Sequence, residues 1–383
     1  MTTRRPLTIL LFNTANRWIG EAAGTDLLAR MLHARGHRVF LFLPNESPIA
    51  GHVRAECEIV RGSWRLSGGG GASLPRQYLD TARLLRRIQP DIIHVGRGQE
   101  HWCTALLKPL CAPTACLVRT RHVVLPMRQT RANRWLFRNR TDAVTAVSEA
   151  TMRGVGALAD HLPPERRRVV LGAVDLQRYR PENRSDSQRA EAGITAKRTL
   201  LLGCLGRWQN IKGPDIFMEA ASRIMEEHPH VHAVLAGRKV HHENAKLRAL
   251  HEKWNLEGRI TYLGMIEKPE GLVASLDIGA IASRGSEGFS RIAVEYMASG
   301  VPFVATRVGA LPQIVRDGET GLLVPPEDVD AMTEAIRRLV ADPQLRARLA
   351  GNALTEVRER FDPSRYGEEM EEVYYSALAA RHG

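Results

Sequence analysis

Two glutamates eight positions apart, Glu287 and Glu295, occupy a stretch whose pattern predicts a strand, a loop and a helix in succession. The apolar run 278–282 predicts a buried strand, and the helical pattern after the loop ends at Gly300. Ligands of open α/β sheets bind at the carboxyl ends of strands, and a helix N-terminus offers free N–H groups to an anion. The positions expected to present these groups are Gly288, Phe289 and Ser290.

The two carboxylates suit the recognition of hydroxyl groups, because each accepts two hydrogen bonds and a vicinal diol donates two. If the helix begins near Ser290, Glu295 lies roughly 8 Å further along the helix axis. One carboxylate could then hold a group at the helix N-terminus and the other a group alongside it. From this pattern alone, a solvated loop glutamate and an ordinary helix glutamate are an equally good interpretation.

A second loop carries two cations. The apolar run 200–205 predicts a strand, and Gly206, Arg207, Lys212 and Gly213 follow it before Pro214 opens a helix. Cations at such a position can neutralise a diphosphate leaving group from two sides. A guanidinium binds two oxygens at once, whereas an ammonium acts as a point charge. The two loops together predict a site for a phosphorylated ligand.

In combination these segments resemble the retaining GT-B glycosyltransferases of family 4. The stretch from Glu287 to Glu295 is similar to the family's E-x7-E signature, and 206–213 is similar to its G-R-…-K-G segment. Segments 308–315 and 317–324 also match in order and spacing, so the resemblance covers the C-terminal half almost throughout. It implies an α/β fold of two doubly wound domains that face a central cleft, with a C-terminal helix that crosses back to the first domain.

The resemblance also implies a role for each matching residue. Arg207 and Lys212 would stabilise the departing diphosphate, Glu287 would bind donor-sugar hydroxyls, and Glu295 would bind the ribose diol. His122 would reach the sugar from the N-terminal domain. The further donor-binding positions that it implies are Gly20, Gly206, Gly237, Met265 and Gly309, beside the loop residues Gly288, Phe289 and Ser290.

The N-terminal half matches the family more loosely. The predicted loop 13–24 contains Gly20 where the family has two glycines, and a simple turn residue is an equally good interpretation. His122 follows a strand predicted at 115–118, but Val123 stands where the family often has an acid. A partner acid is therefore missing from the local sequence, and a structural histidine is the alternative.

Positive charge is concentrated in the N-terminal half. The formal net charge is +12, and residues 1–170 carry 26 Lys and Arg against 12 Asp and Glu, whereas the remainder carries 28 against 30. Four arginines recur at helical spacing around the apolar segment 135–137; they are Arg128, Arg131, Arg134 and Arg138. This pattern predicts an acceptor-binding or membrane-interface helix, and a solvated basic face is the alternative.

Length and composition set the organisation. The 383 residues predict an N-terminal domain at 1–174, a nucleotide-sugar domain at 175–360 and a C-terminal helix at 361–383. No apolar run approaches the 18 or so residues of a membrane-spanning helix. Five cysteines without a C-x-x-C pair favour free thiols in a cytoplasmic protein. Asp328 of the D-x-D sequence is predicted to be a helix N-cap, not a metal ligand, and the glycine run 68–71 predicts a surface loop.

These inferences predict a metal-independent, retaining transfer of a hexose from a UDP- or GDP-sugar, with no cofactor beyond that co-substrate. The acceptor would be a glycan or a lipid-linked glycan such as lipopolysaccharide core. The protein would contact an anionic membrane peripherally, and nucleic acid would not be a partner. One alternative is a protein of the same fold that binds nucleotide sugars, or an epimerase or phosphorylase. The other, a nucleic-acid-binding protein, rests on charge alone.

Overall fold

The chain divides into two compact units. The N-terminal unit comprises Met1–Ala173 with Pro363–Gly383, and the C-terminal unit comprises Val174–Asp362. The computed structural model describes residues 4–65, 73–191, 199–237 and 245–382, so the glycine run 68–71 lies outside the described residues. In the described ranges, no helix combines the length and the apolarity that crossing a membrane requires.

The described part of the N-terminal unit contains a parallel sheet of seven strands, in the order β3-β2-β1-β4-β5-β6-β7. Its strands are β1 Thr8–Phe12, β2 Arg38–Pro44, β3 Glu58–Gly62, β4 Ile92–Val95, β5 Cys116–Arg121, β6 Ala143–Ala146 and β7 Arg167–Val169. Its helices before the domain boundary are α1 Gly20–Ala34, α2 Leu74–Ile88, α3 Gly98–Cys111, α4 Arg131–Arg140 and α5 Glu149–Val155. The central strands are continuous apolar runs because helices cover both faces of a parallel sheet.

A second parallel sheet, of six strands among the described residues, has the order β10-β9-β8-β11-β12-β13 in the C-terminal unit. Its strands are β8 Leu200–Leu205, β9 Val231–Ala236, β10 Ile260–Leu263, β11 Ile278–Ile281, β12 Phe303–Thr306 and β13 Leu322–Val324. Its helices are α6 Asp186–Glu191, α7 Pro214–Glu227, α8 Ala245–Lys253, α9 Pro269–Ser275, α10 Arg291–Ala298, α11 Leu311–Ile314, α12 Val329–Ala341 and α13 Pro343–Arg360.

The last helix, α14 Pro363–His382, packs in the N-terminal unit. Met370 and Tyr374 of this helix are buried in the core that also contains residues of α1 and β1. The Tyr374 hydroxyl is hydrogen-bonded to Nδ1 of His94 in β4, and the other ring nitrogen of His94 lies 2.6 Å from the hydroxyl of Thr120 in β5. This buried polar chain fixes the helix against the centre of the sheet.

Each sheet has a position where the direction of strand addition reverses. In the N-terminal unit β1 lies between β2 and β4, and in the C-terminal unit β8 lies between β9 and β11. A crevice forms at the carboxyl ends of the strands at such a reversal, and ligands bind there in doubly wound folds. The loops after β1, β4, β8 and β11 are therefore the ones that the fold makes available for binding.

Two boundaries differ from those predicted by the sequence. Helix α1 begins at Gly20, inside the predicted loop, because the carbonyl of Ile19 already accepts a hydrogen bond from Ala23 and buried alanines follow. Strand β5 continues to Arg121, because residues 119–121 pair with β6 although two of their side chains are charged. Gly20 is therefore the first residue of a helix, and Arg119 lies within the sheet.

Candidate active site

Lys212 and Glu287 are in direct contact at the carboxyl edge of the second sheet. Lys212 follows β8 and Glu287 follows the neighbouring strand β11, and Nζ of the lysine lies 2.5 Å from Oε1 of the glutamate. Glu287 is only 3% exposed, and the hydroxyl of Ser283 donates to the same carboxylate oxygen. A buried carboxylate requires such partners, because an unpaired charge away from water is costly. The fold thus brings together two predicted site residues that are 75 positions apart.

The turn after β12 holds the backbone of Glu287. Gly309 has φ +57°, and a Cβ atom at this position would lie 2.1 Å from the carbonyl oxygen of Glu287. The next residue, Ala310, donates its N–H to that same oxygen at 2.8 Å. Only glycine combines the left-handed backbone with this close approach. The predicted site position Gly309 therefore supports Glu287 directly.

An ion pair joins the two strand-end loops. Arg284 donates to both oxygens of Asp215 at 2.8 and 2.7 Å, and its backbone N–H donates to the carbonyl of Ile211. Burial alone would raise the pKa of Asp215, but hydrogen bonds from Arg284 and Lys246 outweigh it and lower the pKa to about 2. The pair is therefore ionised at neutral pH and holds the loop before Glu287 against the first turn of α7, which follows the loop of Lys212.

Two buried polar groups in the loops after β8 and β11 lack hydrogen-bond partners among the described residues. Ser290 is the N-cap residue of α10, yet its side chain caps no helix N–H, and its buried hydroxyl has no hydrogen-bond partner among the described residues. The indole N–H of Trp208, after β8, is buried and without a partner in the same described ranges. Buried polar groups are normally paired. These two groups are therefore candidates for contacts to a bound ligand.

Glu295 and Phe289 flank this helix start. Glu295 lies in the second turn of α10, is buried and forms an ion pair with Arg291 at 2.9 Å. Phe289 is half-buried, with its ring centroid 6.1 Å from that of Phe361. Gly288 and Ser290 are buried beside it. Glu295 is thus held by a cation of its own helix, and the loop as a whole is ordered by packing.

Four further predicted site residues follow strands of the same sheet, whereas Gly20 lies in the N-terminal unit. Arg207 is exposed after β8 and forms no ion pair within the described part of the chain. Gly206 and Gly237, after β8 and β9, approach so closely that a Cβ on Gly237 would lie 1.6 Å from the carbonyl oxygen of Gly206. Met265, after β10, is 73% exposed. These positions extend the site along the strand ends away from Glu287.

His122 lies in a pocket of the N-terminal unit, which has a volume of about 420 Å³ and is also lined by Glu21, Arg97 and Arg119. Burial lowers the pKa of His122 to about 4, against an opposing effect of the Glu21 carboxylate, so the imidazole is neutral at pH 7. The sequence did not indicate this acid, because Glu21 is distant from His122 along the chain. Glu21 comes instead from the start of α1, directly after Gly20.

The arginine-rich helix differs from its predicted arrangement. Arg131, Arg134 and Arg138 are exposed on α4, but Arg128 precedes the helix and does not share its face. The apolar neighbours Leu136 and Phe137 are buried in the core of the unit, since a helix that covers a sheet must turn its apolar side inward. Trp135 alone of the apolar segment is exposed, and it stacks on Trp102 of α3.

Comparisons with known proteins define the class to which this chain belongs. The family model for glycosyl transferases of group 1 matches residues 199–342, and the model for glycosyltransferase family 4 matches residues 20–178. The chain therefore belongs to the group 1, family 4 glycosyltransferases, and its fold is GT-B. The resemblance noted in the sequence is confirmed.

Among curated relatives, the chain is 31% identical to the lipopolysaccharide core biosynthesis mannosyltransferase LpcC of Rhizobium leguminosarum bv. viciae, over 79% of this chain and 83% of that protein. It is 30% identical to LpsB of Rhizobium meliloti, also a lipopolysaccharide core biosynthesis mannosyltransferase, over 82% of this chain and 88% of that protein. Among solved structures, HepE of Anabaena in complex with UDP and glucose has a TM-score of 0.78 at 22% identity, covering 97% of this chain and all of that chain.

Proposed function

We propose that this glycosyltransferase is a metal-independent, retaining enzyme that transfers a hexose from a nucleotide diphosphate sugar to a glycan or lipid-linked acceptor. The observation that carries the proposal is the contact between Lys212 and buried Glu287 beside the N-terminus of α10. A cation, a carboxylate and free helix N–H groups there match the diphosphate and the hydroxyl groups of such a donor.

In the reaction, the acceptor hydroxyl oxygen bonds to the anomeric carbon while the bond from that carbon to the diphosphate oxygen breaks. The departing phosphate accepts the proton of the acceptor hydroxyl on the same face of the sugar, so the configuration is retained. Arg207 and Lys212 offset the charge that develops on the diphosphate, and Glu287 binds the sugar hydroxyls. Glu295 binds the ribose diol, and neutral His122 contacts the sugar from its own unit.

The carboxylates of the D-x-D sequence support a reaction without a metal or any cofactor other than the sugar donor. Asp328 accepts a hydrogen bond from the N–H of Ala331 as the N-cap of α12, and Asp330 pairs with Arg223 at 2.5 Å. Both acids thus have structural partners. The cations of the β8 loop take the role that a divalent ion would otherwise have toward the diphosphate.

The relatives support a hexose donor and an acceptor in the cell envelope. LpcC and LpsB are named for mannose transfer in lipopolysaccharide core biosynthesis, and the solved HepE complex contains UDP and glucose. We therefore propose that the acceptor of this chain is a core glycan or another lipid-linked glycan. The proposed donor is a UDP- or GDP-hexose.

Exposed cations and apolar groups of the N-terminal unit support peripheral contact with an anionic membrane. Arg128, Arg131, Arg134 and Arg138 are exposed, and Leu106 and Leu110 are exposed on the neighbouring helix α3. Basic residues beside apolar side chains bind anionic lipid surfaces. Reversing the charge of these four arginines should abolish sedimentation with vesicles that contain anionic lipid and leave donor binding unchanged. Equal sedimentation of both proteins would contradict this contact.

The donor site is tested by replacing Lys212 and Glu287. Lys212→Ala and Glu287→Gln should each lower transfer by roughly 10²- to 10³-fold, the size of effect seen when one charge-stabilising group is removed from an active site. Lys253→Ala, an exposed lysine on α8, is the matched control and should retain activity. A screen of nucleotide sugars for thermal stabilisation identifies the donor, because a ligand of the native state raises its apparent stability.

Near-wild-type transfer by both variants would refute the assignment of this site. Thermal stabilisation by a nucleotide sugar without transfer or hydrolysis, across a panel of glycan acceptors, would favour the alternative of a binding protein with the same fold.

A further inference from the structure

The pocket of the N-terminal unit is unusually rich in arginine. Of the side chains that line its volume of about 420 Å³, four are guanidinium groups, from Arg65, Arg97, Arg119 and Arg121. Among the described residues of the lining, Glu21 is the only acid, and Arg97 donates a hydrogen bond to it at 2.8 Å. The charges of Arg97 and Glu21 offset each other, so the positive charges of Arg65, Arg119 and Arg121 remain in the lining. The pocket is large enough for a monosaccharide or a phosphate ester.

Arg119 is buried near the carboxylates of Glu100 and Glu21, but part of its guanidinium lacks hydrogen-bond partners. Its side chain is 2% exposed within β5, and its Nε and Nη1 atoms have no hydrogen-bond partner among the described residues. The buried acid nearby, Glu100, is already used by the backbone N–H groups of Thr14, Gly96 and Arg97. Burial lowers the pKa of Arg119 to about 10, so the guanidinium remains charged at neutral pH. Buried donors are normally hydrogen-bonded, so the two nitrogens of Arg119 without partners are candidates for contacts to a bound anion.

The position of the pocket in the fold also favours an anion. It lies where the order of the strands reverses, between the loops after β1 and β4, and the N-termini of α1 and α3 both begin at its rim. No side chain caps α1 at its N-cap residue Ile19. A capping box of Arg97 and Glu100 already occupies the N-terminus of α3, so the N-terminus of α1 is the helix end that adds to the arginines in attracting negative charge.

We infer that this pocket binds a phosphate or carboxylate substituent of the acceptor, so the enzyme selects anionic acceptors over neutral ones. The inference rests on the proposed function and names the chemical class of its acceptor. Arg119 and Arg121 donate to the anion from β5, and Arg65 donates from the loop after β3. Arg97, which is held by Glu21, borders the site.

The donor diphosphate is the other possible source of an anion, and the charges of the C-terminal unit argue against it. The loops there already supply Arg207 and Lys212, together with the N-terminus of α10. The arginines of the N-terminal unit are additional to that set and line a separate pocket. The experiment separates the two sources.

The test measures binding of defined small molecules to the full-length protein with its donor site filled by saturating UDP. Inorganic phosphate, glucose 6-phosphate and glucuronate are titrated by calorimetry beside neutral glucose. The anionic sugars should bind about tenfold more tightly than glucose or better, the equivalent of one charge-assisted hydrogen bond. The double variant Arg65→Gln, Arg121→Gln should lose about that factor for each anion and keep its affinity for UDP.

A matched control removes the same charge elsewhere. Arg83→Gln, Arg87→Gln lies on the exposed side of α2 and should bind both the anions and UDP as the wild type does. Arg119→Lys keeps one charge and fewer donors, and it should weaken anion binding while circular dichroism remains unchanged. Thermal melting of each variant verifies that loss of binding is not loss of folding.

Four results separate the inference from the proposed function. Equal affinity for neutral and anionic sugars, or unchanged anion affinity in the double variant, would overturn the inference. Loss of UDP affinity in the double variant would assign the pocket to the donor and overturn it as well. A protein that binds anions through these arginines but transfers no sugar from any donor would contradict the proposed function and leave the anionic site standing.

Discussion

Replacement of Gly309 by alanine should displace Glu287 and uncouple it from Lys212. The added Cβ would lie 2.1 Å from the carbonyl oxygen of Glu287 and 2.9 Å from its Cβ, at a backbone φ of +57°. The left-handed backbone costs about 1–2 kcal/mol for a residue with a side chain. The overlap costs about 1–3 kcal/mol more, because the neighbouring backbone must move. Gly309→Ala should therefore lose about 2–5 kcal/mol of unfolding free energy.

Gly318→Ala separates the two contributions. Gly318 has φ +75°, but nothing lies within 4 Å of the position that its Cβ would take. This variant should lose only the cost of the backbone conformation, about 1–2 kcal/mol, and it should bind the donor with wild-type affinity. Both variants lie in the C-terminal unit, so the same unfolding transition reports on them.

Urea-induced unfolding followed by circular dichroism gives the two stabilities, and calorimetric titration with the nucleotide sugar gives the affinities. Gly309→Ala should be the less stable of the two by about 1–3 kcal/mol and should also bind the donor more weakly, because Glu287 no longer meets Lys212. Equal stabilities and equal donor affinities for the two variants would refute the argument that Gly309 supports the site.

Three further predictions concern stability and metal dependence. The pKa of buried His94 is lowered to about 3, so the unfolded chain binds more protons at this site between pH 3 and 6.5, and stability falls as pH falls. Of the stability lost between pH 7 and pH 5, His94 should account for about 2 kcal/mol. Unfolding measured at both pH values should show that His94→Gln reduces the loss by about that amount. Arg284→Met should cost about 1.5–3 kcal/mol, because buried Asp215 loses two hydrogen bonds from Arg284 and keeps its ion pair with Lys246. Arg38→Met, at an exposed ion pair, should cost under about 1 kcal/mol; similar costs in urea unfolding would contradict this. Asp328→Ala should lose about 1 kcal/mol of unfolding free energy, because a helix cap is removed. The variant should retain transfer after treatment with a chelator. Transfer that is abolished by chelation and restored by a divalent ion would disprove metal independence.

The local sequence was sufficient for the fold and for the residue types of the candidate donor site. Alternating apolar runs and helical patterns predicted two α/β domains, because hydrophobic periodicity is a property of neighbouring residues. The spacing of Glu287 and Glu295 and the cations at Arg207 and Lys212 singled out the strand-end loops in the same way. The assignment of Asp328 as an N-cap was also confirmed, since a cap is formed within three residues.

Contacts between distant segments decided what the sequence could not. Glu21 faces His122 only because β1 and β5 lie on the two sides of β4, and Arg119 is buried because β5 continues to pair with β6. In α4, Leu136 and Phe137 are buried in the core, so Trp135 is the one residue of the apolar segment that is exposed with the arginines. Strand order and the inward direction of a helix face are set by the packing of the whole unit, and no short stretch of residues contains them.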